Sequence, residues 1–495
     1  MAHFAYERLT ALDNSFLVME DITPNAPMHV ASAGIYEAGP LKTPDGGIDM
    51  ERITRHITSL LHRIPRYRQR LMYVPFLAQP VWVDDHRFNP RYHLRHTSVP
   101  APGDERQLKR LCGRILSQTL DRGKPLWETW IVEGLEGDRF CMISKTHHCM
   151  IDGISGVDLL TLIMSMDPEA QTEEPVRWIP RPHPRPAELV RGELVHRLNG
   201  PLDAVSRLVR EPGQFLSDFR EGLSAVRETL GEQFTLASGT PFNEPLGPHR
   251  RFDWTSTPIE AISAIRNRLG GSLNDVVLAT VAGAVRRFLE LRSTNNVRDL
   301  RFRAMCPVSL RSEAERHNLG NRVASWLVDL PIAEPDARKR LADIAEKTAK
   351  LKDSHQAEGG EILAEVLDWS GPTALNLMSR LATQTTSFNM VVTNVPGPRA
   401  PMYLLGARML EAYGMVPLFE NHGLGIALFS NAGKLFWGFN ADWDAFPDLH
   451  DFVTAIQDAF AELRAAEPLP LEARRGRRGR TAGAPPLREH IAQAG

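Results

Sequence analysis

The sequence predicts an α/β protein of two lobes of similar build, each mixing strands of a sheet with flanking helices. Three observations carry the two-lobed α/β expectation. The chain has 495 residues, more than one ordinary core fills, so two domains of roughly 150–250 residues each are expected. Strand-like and helix-like apolar patterns alternate in both halves. Between the halves, over about 171–245, proline breaks and mixed charge replace those patterns. No internal sequence repeat is visible.

In the first lobe, residues 1–170, the run 29–37 (HVASAGIYE) reads as a strand. Ile53, Ile57, Leu60, Leu61 and Ile64 recur at helical spacing over 49–64, and Pro65 ends that helix. Residues 107–120 form a second amphipathic helix, and 126–132 and 139–146 read as strands joined by a turn over 134–138. Val157, Leu159, Leu160, Leu162 and Ile163 then begin another helix. The connector, 171–245, is broken by Pro175, Pro180, Pro182, Pro184 and Pro186, after which Leu194, Leu198, Leu202, Val205 and Leu208 return to helical spacing. Its acids and bases nearly cancel, which favours a solvated helix on the domain seam over a membrane-binding one.

The second lobe spans 246–466. Helices are expected over 258–269, 273–291, 336–351, 361–381 and 446–463, with strands over 301–308, 323–330 and 389–393. Residues 425–430 and 435–440 form a hairpin across Asn431-Ala432-Gly433-Lys434. The tail, 467–495, is rich in Pro, Gly and Ala and holds Arg474, Arg475, Arg477, Arg478 and Arg480. Such a segment reads as disordered and solvated, with attraction to anionic lipid as the lesser reading.

Composition narrows the class. With 42% apolar and 24% charged residues and a formal net charge of −2, the chain reads as a soluble globular protein without the basic excess of a nucleic-acid binder. Four cysteines, Cys112, Cys141, Cys149 and Cys306, make no CxxC pair, which favours a reducing, cytoplasmic setting. The opening MAHFAYER lacks a signal-peptide layout. No run of about 18 uncharged apolar residues occurs, so lipid would be met peripherally.

The chemistry concentrates in His147-His148-Cys149-Met150-Ile151-Asp152-Gly153. With 17 His and 36 Gly in the chain, this HHxxxDG pattern arises by chance in well under ~1% of such sequences. Adjacent residues at an extended strand end point to opposite faces, so one histidine can enter a site while the other supports the backbone. No second cluster completes a metal's ligands at a familiar spacing, so no metal is expected. There is no G-x-S-x-G elbow, and Cys149 reads as a small buried filler. What remains is base catalysis: one imidazole deprotonates a hydroxyl or amine, which attacks an activated acyl group. Asp152 either orients that imidazole or holds the loop.

Further motifs accompany this one in order along the chain. They are Leu12-Asp13 with Phe16-Leu17, Asn25-Ala26-Pro27-Met28-His29-Val30, Pro125-Leu126-Trp127 and Ser272-Leu273-Asn274-Asp275. Pro307-Val308-Ser309-Leu310-Arg311 and Asn394-Val395-Pro396-Gly397-Pro398 follow. With HHxxxDG and two α/β lobes, the chain resembles the chloramphenicol-acetyltransferase-like superfamily, which includes the condensation domains of peptide synthetases. Within it, the chain is most similar to the bacterial wax ester synthase/acyl-CoA:diacylglycerol acyltransferase family. The DFGWG-type motif of many superfamily members is absent, and Leu435-Phe436-Trp437-Gly438-Phe439 is no equivalent.

The resemblance implies two chloramphenicol-acetyltransferase-like lobes and an acyl-CoA-dependent O-acyltransferase making neutral lipid. Acyl-CoA is the donor substrate, diacylglycerol or a fatty alcohol the acceptor, and no cofactor is implied. Contact with a membrane or lipid droplet is peripheral, and no motif sets an oligomeric state. His148 is then the general base, His147 shapes the site, and Asp152 braces the loop through an arginine, for which Arg68 is the candidate. Gly153 gives the turn its backbone freedom. Ser272 and Asp275 form a capping box. Asn274, among the free N–H groups of that first turn, could bond the oxyanion. Trp127 reads as core beneath the site or as a wall of the acyl channel, and Asn394 to Pro398 as a rigid loop. The alternatives are a free-standing condensation-type enzyme using a carrier-protein thioester, and a non-catalytic lipid-binding protein on the same fold.

Overall fold

Helix starts are set locally by side-chain caps, and the sheets collect around them. The computed structural model describes residues 6–150, 156–169, 173–210, 236–292, 297–309, 323–352, 376–377, 379–380 and 386–468. In chain order the first half gives β1 (Glu7–Arg8), α1 (Ala11–Ile22), β2 (His29–Glu37), α2 (Met50–Leu60), β3 (Gln69–Tyr73), β4 (Pro80–Asp84), α3 (Pro90–His93), β5 (Leu94–Ser98), α4 (Glu105–Leu116), β6 (Trp127–Leu135), β7 (Arg139–His147) and α5 (Gly156–Ile163). Helix α6 (Pro186–Arg210) occupies the connector. The second half gives β8 (Arg250–Pro258), α7 (Ile259–Leu269), α8 (Leu273–Leu291), β9 (Phe302–Ser309), β10 (Val323–Leu330), α9 (Ala337–Lys352), β11 (Met390–Pro396), β12 (Tyr403–Leu404), β13 (Ala407–Met415), β14 (Leu424–Asn431), β15 (Lys434–Asp442) and α10 (Leu449–Ala465).

Thr10 caps α1, its hydroxyl accepting the Asp13 N–H at 3.1 Å, and Asp49 caps α2 through the Arg52 N–H at 2.8 Å. Asp104 and Gln107 close a capping box on α4, so that helix starts two residues before its apolar pattern does. It ends at Leu116, short of the expected 120. The hairpin of β14 and β15 turns on Ala432 (φ 45°) and Gly433 (φ 82°), both left-handed, the backbone that a two-residue turn requires. Of the helix expected over 361–381, only 376–377 and 379–380 are described, and they are helical. The Arg474–480 cluster lies outside the described residues.

Two six-stranded sheets organise the lobes. One runs β12-β13-β2-β7-β6-β5 and the other β10-β9-β11-β14-β15-β8, with a small β1-β4-β3 sheet beside the first. The sheets do not follow the order of the halves: β12 and β13 come from the second half, yet β13 pairs antiparallel with β2 in the first sheet, Met415 facing Ala31. The apolar faces of α2 (Ile53, Ile57) and α4 (Leu108, Cys112, Ile115) share one core with Ile35, Ile131, Phe140 and Ile143 of the first sheet. Helix α8 is buried on almost every side in the second core, where Phe242, Phe288, Phe446 and Phe452 meet.

The lobes meet along a seam built without room to spare. A Cβ at Gly438 of β15 would lie 2.0 Å from the Gly414 carbonyl of β13, and one at Gly113 of α4 would lie 2.6 Å from the Arg250 carbonyl of β8. Lys109 pairs with Asp253 at 2.5 Å and covers the Trp254 ring, which stacks on Tyr413 at 4.8 Å. Arg250 and Asp442 form a buried ion pair at 3.3 Å. Arg250 also donates to the Gly247 carbonyl at 2.7 Å and to that of Asn25, so its buried charge is satisfied on several sides.

The connector helix departs from expectation. Its start packs on the small sheet, where Leu189 joins Val74, Val81 and Val83. Leu194, Val195 and Leu198 stand exposed. Near-neutral charge pointed to a solvated seam helix; the structure instead gives α6 an uncovered apolar stripe.

Candidate active site

The site begins where β7 ends. His147 is the last residue of that strand and pairs with His29 of β2. Its N–H donates to the Leu126 carbonyl at 2.9 Å, so the Pro125-Leu126-Trp127 segment grips the strand end. The chain then enters a single 3-10 turn, His148–Met150, and the His148 N–H donates to the Met28 carbonyl at 2.8 Å. These backbone bonds tie the turn to both neighbours of β7.

The two imidazoles serve different surroundings. His147 is fully buried, and its Nδ1 accepts the Cys149 N–H at 3.2 Å. Its Nε2 lies 3.2 Å from the carboxylate of Glu20. Glu20, buried on α1, also accepts the Met28 N–H at 2.9 Å and an Arg122 N–H at 3.1 Å. Burial alone would raise its carboxyl, but the bonds and charges of His147, His29 and Met28 hold it down at about 2. His147 is therefore a brace between β7 and α1.

His148 is half-buried and stacks on Phe16 of α1, ring centroids 3.9 Å apart and 19° from parallel. Its Nδ1 is buried and has no hydrogen-bond partner among the described residues. Burial first, and His147 beside it second, push its imidazole down to about 4. A ring so placed is unprotonated at neutral pH and keeps a lone pair for a substrate proton. Burial raises the Cys149 thiol well above its ordinary value, so Cys149 is an inert filler.

The remaining candidates divide. Asp152 and Gly153 lie outside the described residues. Arg68 is buried, its guanidinium 4.7 Å over the Trp178 ring, and its Nε has no hydrogen-bond partner among the described residues. Leu126 and Trp127 belong to the first core. Trp127 donates its Nε1–H to the Tyr67 carbonyl at 2.9 Å and stacks on His93 at 4.5 Å, which is a packing role.

Asp275 has both carboxylate oxygens engaged, by the Ser272 N–H at 2.7 Å and the Thr348 hydroxyl at 2.7 Å. It starts α8 and has nothing left for a substrate. Asn274 is exposed in the same turn, and its Oδ1 accepts from Asn394 Nδ2 at 2.7 Å. That bond links two of the sequence motifs and leaves the Asn274 amide NH2 to donate elsewhere.

Glu20 and Arg122 carry no signal in the motif reading. One trace of Glu20 exists in the sequence: it falls four residues after Phe16, on the same face of a helix, where an acid among apolar residues asks for a partner. Replacing it with Gln keeps the shape and removes the charge, and the variant is expected to lose ~3 kcal/mol in urea unfolding at neutral pH. The folded carboxyl lies at about 2 against an ordinary 4.5. Its contribution is therefore present above that ordinary value and is lost as pH falls toward 2. The gap in urea midpoint between wild type and Glu20→Gln should narrow over that interval; a gap independent of pH contradicts the charged brace.

With this geometry in view, comparison with known proteins is direct. Residues 9–277 match the wax ester synthase/diacylglycerol acyltransferase catalytic domain, and residues 319–464 match the C-terminal domain of the same family. A Mycobacterium tuberculosis protein provisionally assigned as a diacylglycerol O-acyltransferase is 33% identical over 474 residues, covering 93% of this chain and 90% of that protein. The M. tuberculosis protein tgs1, with an assignment of the same kind, is 30% identical over 479 residues, covering 92% and 96%. Among solved structures, the wax ester synthase/diacylglycerol acyltransferase of Marinobacter aquaeolei VT8 superposes with a TM-score of 0.64 at 24% identity, covering 92% of this chain and 98% of that one. A mutant starter condensation domain of rhizomide synthetase, in complex with C8-CoA and Leu-SNAC, gives 0.59 at 13% identity, covering 95% and 96%. The chain belongs to the wax ester synthase/diacylglycerol acyltransferase family.

Proposed function

We propose that the protein transfers a long acyl chain from acyl-CoA to the hydroxyl of diacylglycerol or a long-chain fatty alcohol, giving triacylglycerol or wax ester. The observation that carries this reading is His148: a neutral, half-buried imidazole on Phe16, held by the Met28 carbonyl at the head of the turn. His148 takes the proton from the acceptor hydroxyl as its oxygen attacks the thioester carbon. The tetrahedral oxyanion collapses, the C–S bond breaks, and the departing thiolate takes the proton from the imidazolium. The products are the ester and free CoA, with His148 restored. Because the thioester is already activated, the balance needs no metal or redox group.

The other residues support that step. His147, its Nε2 beside the Glu20 carboxylate, holds the end of β7. The amide NH2 of Asn274, which the bond from Asn394 leaves unused, is placed to bond the oxyanion. Asp152 braces the loop through Arg68, whose buried Nε has no acceptor among the described residues.

Water-insoluble acceptors require a lipid surface. No helix among the described residues is long and apolar enough to cross a membrane. We infer peripheral contact, with a membrane or a lipid droplet, through an apolar groove of about 510 Å³. Phe76, Leu194, Val195 and Leu198 border it and stand exposed, Phe76 completely, on a left-handed backbone at φ 64°. Clustered exposed apolar side chains mark an interaction surface.

Two experiments test these readings. Labelled palmitoyl-CoA offered with hexadecanol and with diacylglycerol should give wax ester or triacylglycerol on thin-layer plates, and His148→Ala should lower the rate ~10²-fold or more. Undiminished turnover by His148→Ala removes it as the base. Product only from a carrier-protein thioester favours the condensation-type reading, and no acyl transfer at all favours a scaffold. For the lipid surface, Phe76→Ser combined with Leu198→Ser should reduce co-sedimentation with phosphatidylcholine vesicles; unchanged co-sedimentation contradicts that contact.

A further inference from the structure

Another cavity, of about 690 Å³, opens in the first lobe between the end of β4, helix α3, the turn at 121–124 and His183 of the connector. Its wall is cationic. Arg70 and Arg87 line it, and neither has a carboxylate partner among the described residues. The nearest bond of the Arg70 side chain is a long one, 3.4 Å, to the Leu71 carbonyl. Lys124 adds a third cation, its ammonium 4.2 Å over the Tyr92 ring while paired with Asp121. His86 and His183 stack on each other at the wall, centroids 4.2 Å apart. One carboxylate, Asp85, is among the described lining residues, and it already accepts the Arg87 N–H at 3.0 Å.

Like charges gathered on a concave wall repel one another unless an anion joins them, and concavity focuses their field. The strain registers on His183, which is held below its ordinary value by burial, then by His86 and Arg70. Arginine's planar fork matches the oxygens of a phosphate. The volume is far larger than a halide needs and suits a group of nucleotide or headgroup size.

The floor of this cavity is also the support of the active turn. His93 lines it and bonds through Nδ1 to the Trp127 carbonyl at 2.8 Å. Trp127 reaches the Tyr67 carbonyl, and the Tyr67 hydroxyl lies 3.2 Å from that of Thr146, the residue before His147.

We propose that this cavity is a phosphate-ester binding site, with Arg70 and Arg87 as its primary ligands. Under the acyltransferase reading on which this partly rests, a phosphate ester arrives from two sources: the nucleotide end of CoA, or the headgroup of an anionic phospholipid. Direct binding distinguishes the site from the reaction. Adenosine 3′,5′-bisphosphate is titrated calorimetrically, and binding to phosphatidylcholine vesicles is compared with and without phosphatidic acid, for wild type and for Arg70→Gln/Arg87→Gln. The wild type should bind at least one probe, and the double variant should bind it about tenfold or more weakly. If the source is CoA, the loss is in the bisphosphate titration and KM for palmitoyl-CoA rises by a similar factor. If it is lipid, the loss is in the acidic vesicles and KM does not follow. Should the double variant unfold, Arg87→Gln alone, at an exposed position, carries the same test. Wild type binding neither probe, or variants binding both as tightly as wild type, overturns the proposal, and neither result depends on whether acyl transfer occurs.

Discussion

One buried carboxylate holds the catalytic turn in place. Glu20 gathers the Met28 N–H, an Arg122 N–H and His147 Nε2 around a single charge that burial alone would make costly. By doing so it joins α1, the segment leading into β2, and the end of β7. Phe16, one turn earlier on the same helix, becomes the ring on which His148 rests. The position of the His148 imidazole is thus set by α1, an element outside the HHxxxDG motif. The pair of histidines is asymmetric for the same reason: His147 lies beside the carboxylate, and His148 Nδ1 has no hydrogen-bond partner among the described residues.

The lobe seam is the second constraint. Strand β13 leaves the second half of the chain to pair with β2, the strand beside β7. A side chain at Gly438 of the other sheet would run into strand β13, its Cβ 2.0 Å from the Gly414 carbonyl. The buried Arg250–Asp442 pair and the Asn25 carbonyl fasten the segment before Met28 to the second lobe. Met28 is also the acceptor for the His148 N–H. The turn therefore depends on contacts from both lobes.

Much of this was legible in the residues. The strand ending at the histidines, the amphipathic helices α2 and α4, the start of α8 and the two-residue hairpin at Ala432-Gly433 follow from periodicity and turn chemistry. The capping role of Asp275 and the core role of Trp127 follow from their neighbours. Other features are non-local. The place of strand β13 is one of them, because its partner β2 comes from the other half of the chain. Glu20 looks like any acid on a helix until His147, more than a hundred residues later, is brought to it. The link between Asn274 and Asn394 joins two motifs that sequence reading names separately. Net neutrality is silent on which face of α6 the apolar residues occupy, and Leu194, Val195 and Leu198 stand exposed.

The central claim is that burial, together with His147, keeps His148 unprotonated so that it can serve as the base. The direct measurement is the pH dependence of kcat/KM for acyl-CoA. A general base with its imidazole near 4 gives a profile flat through neutrality that falls only in acid, at an apparent pKa well below the ordinary 6.5. An acid limb at or above that ordinary histidine value would contradict the account.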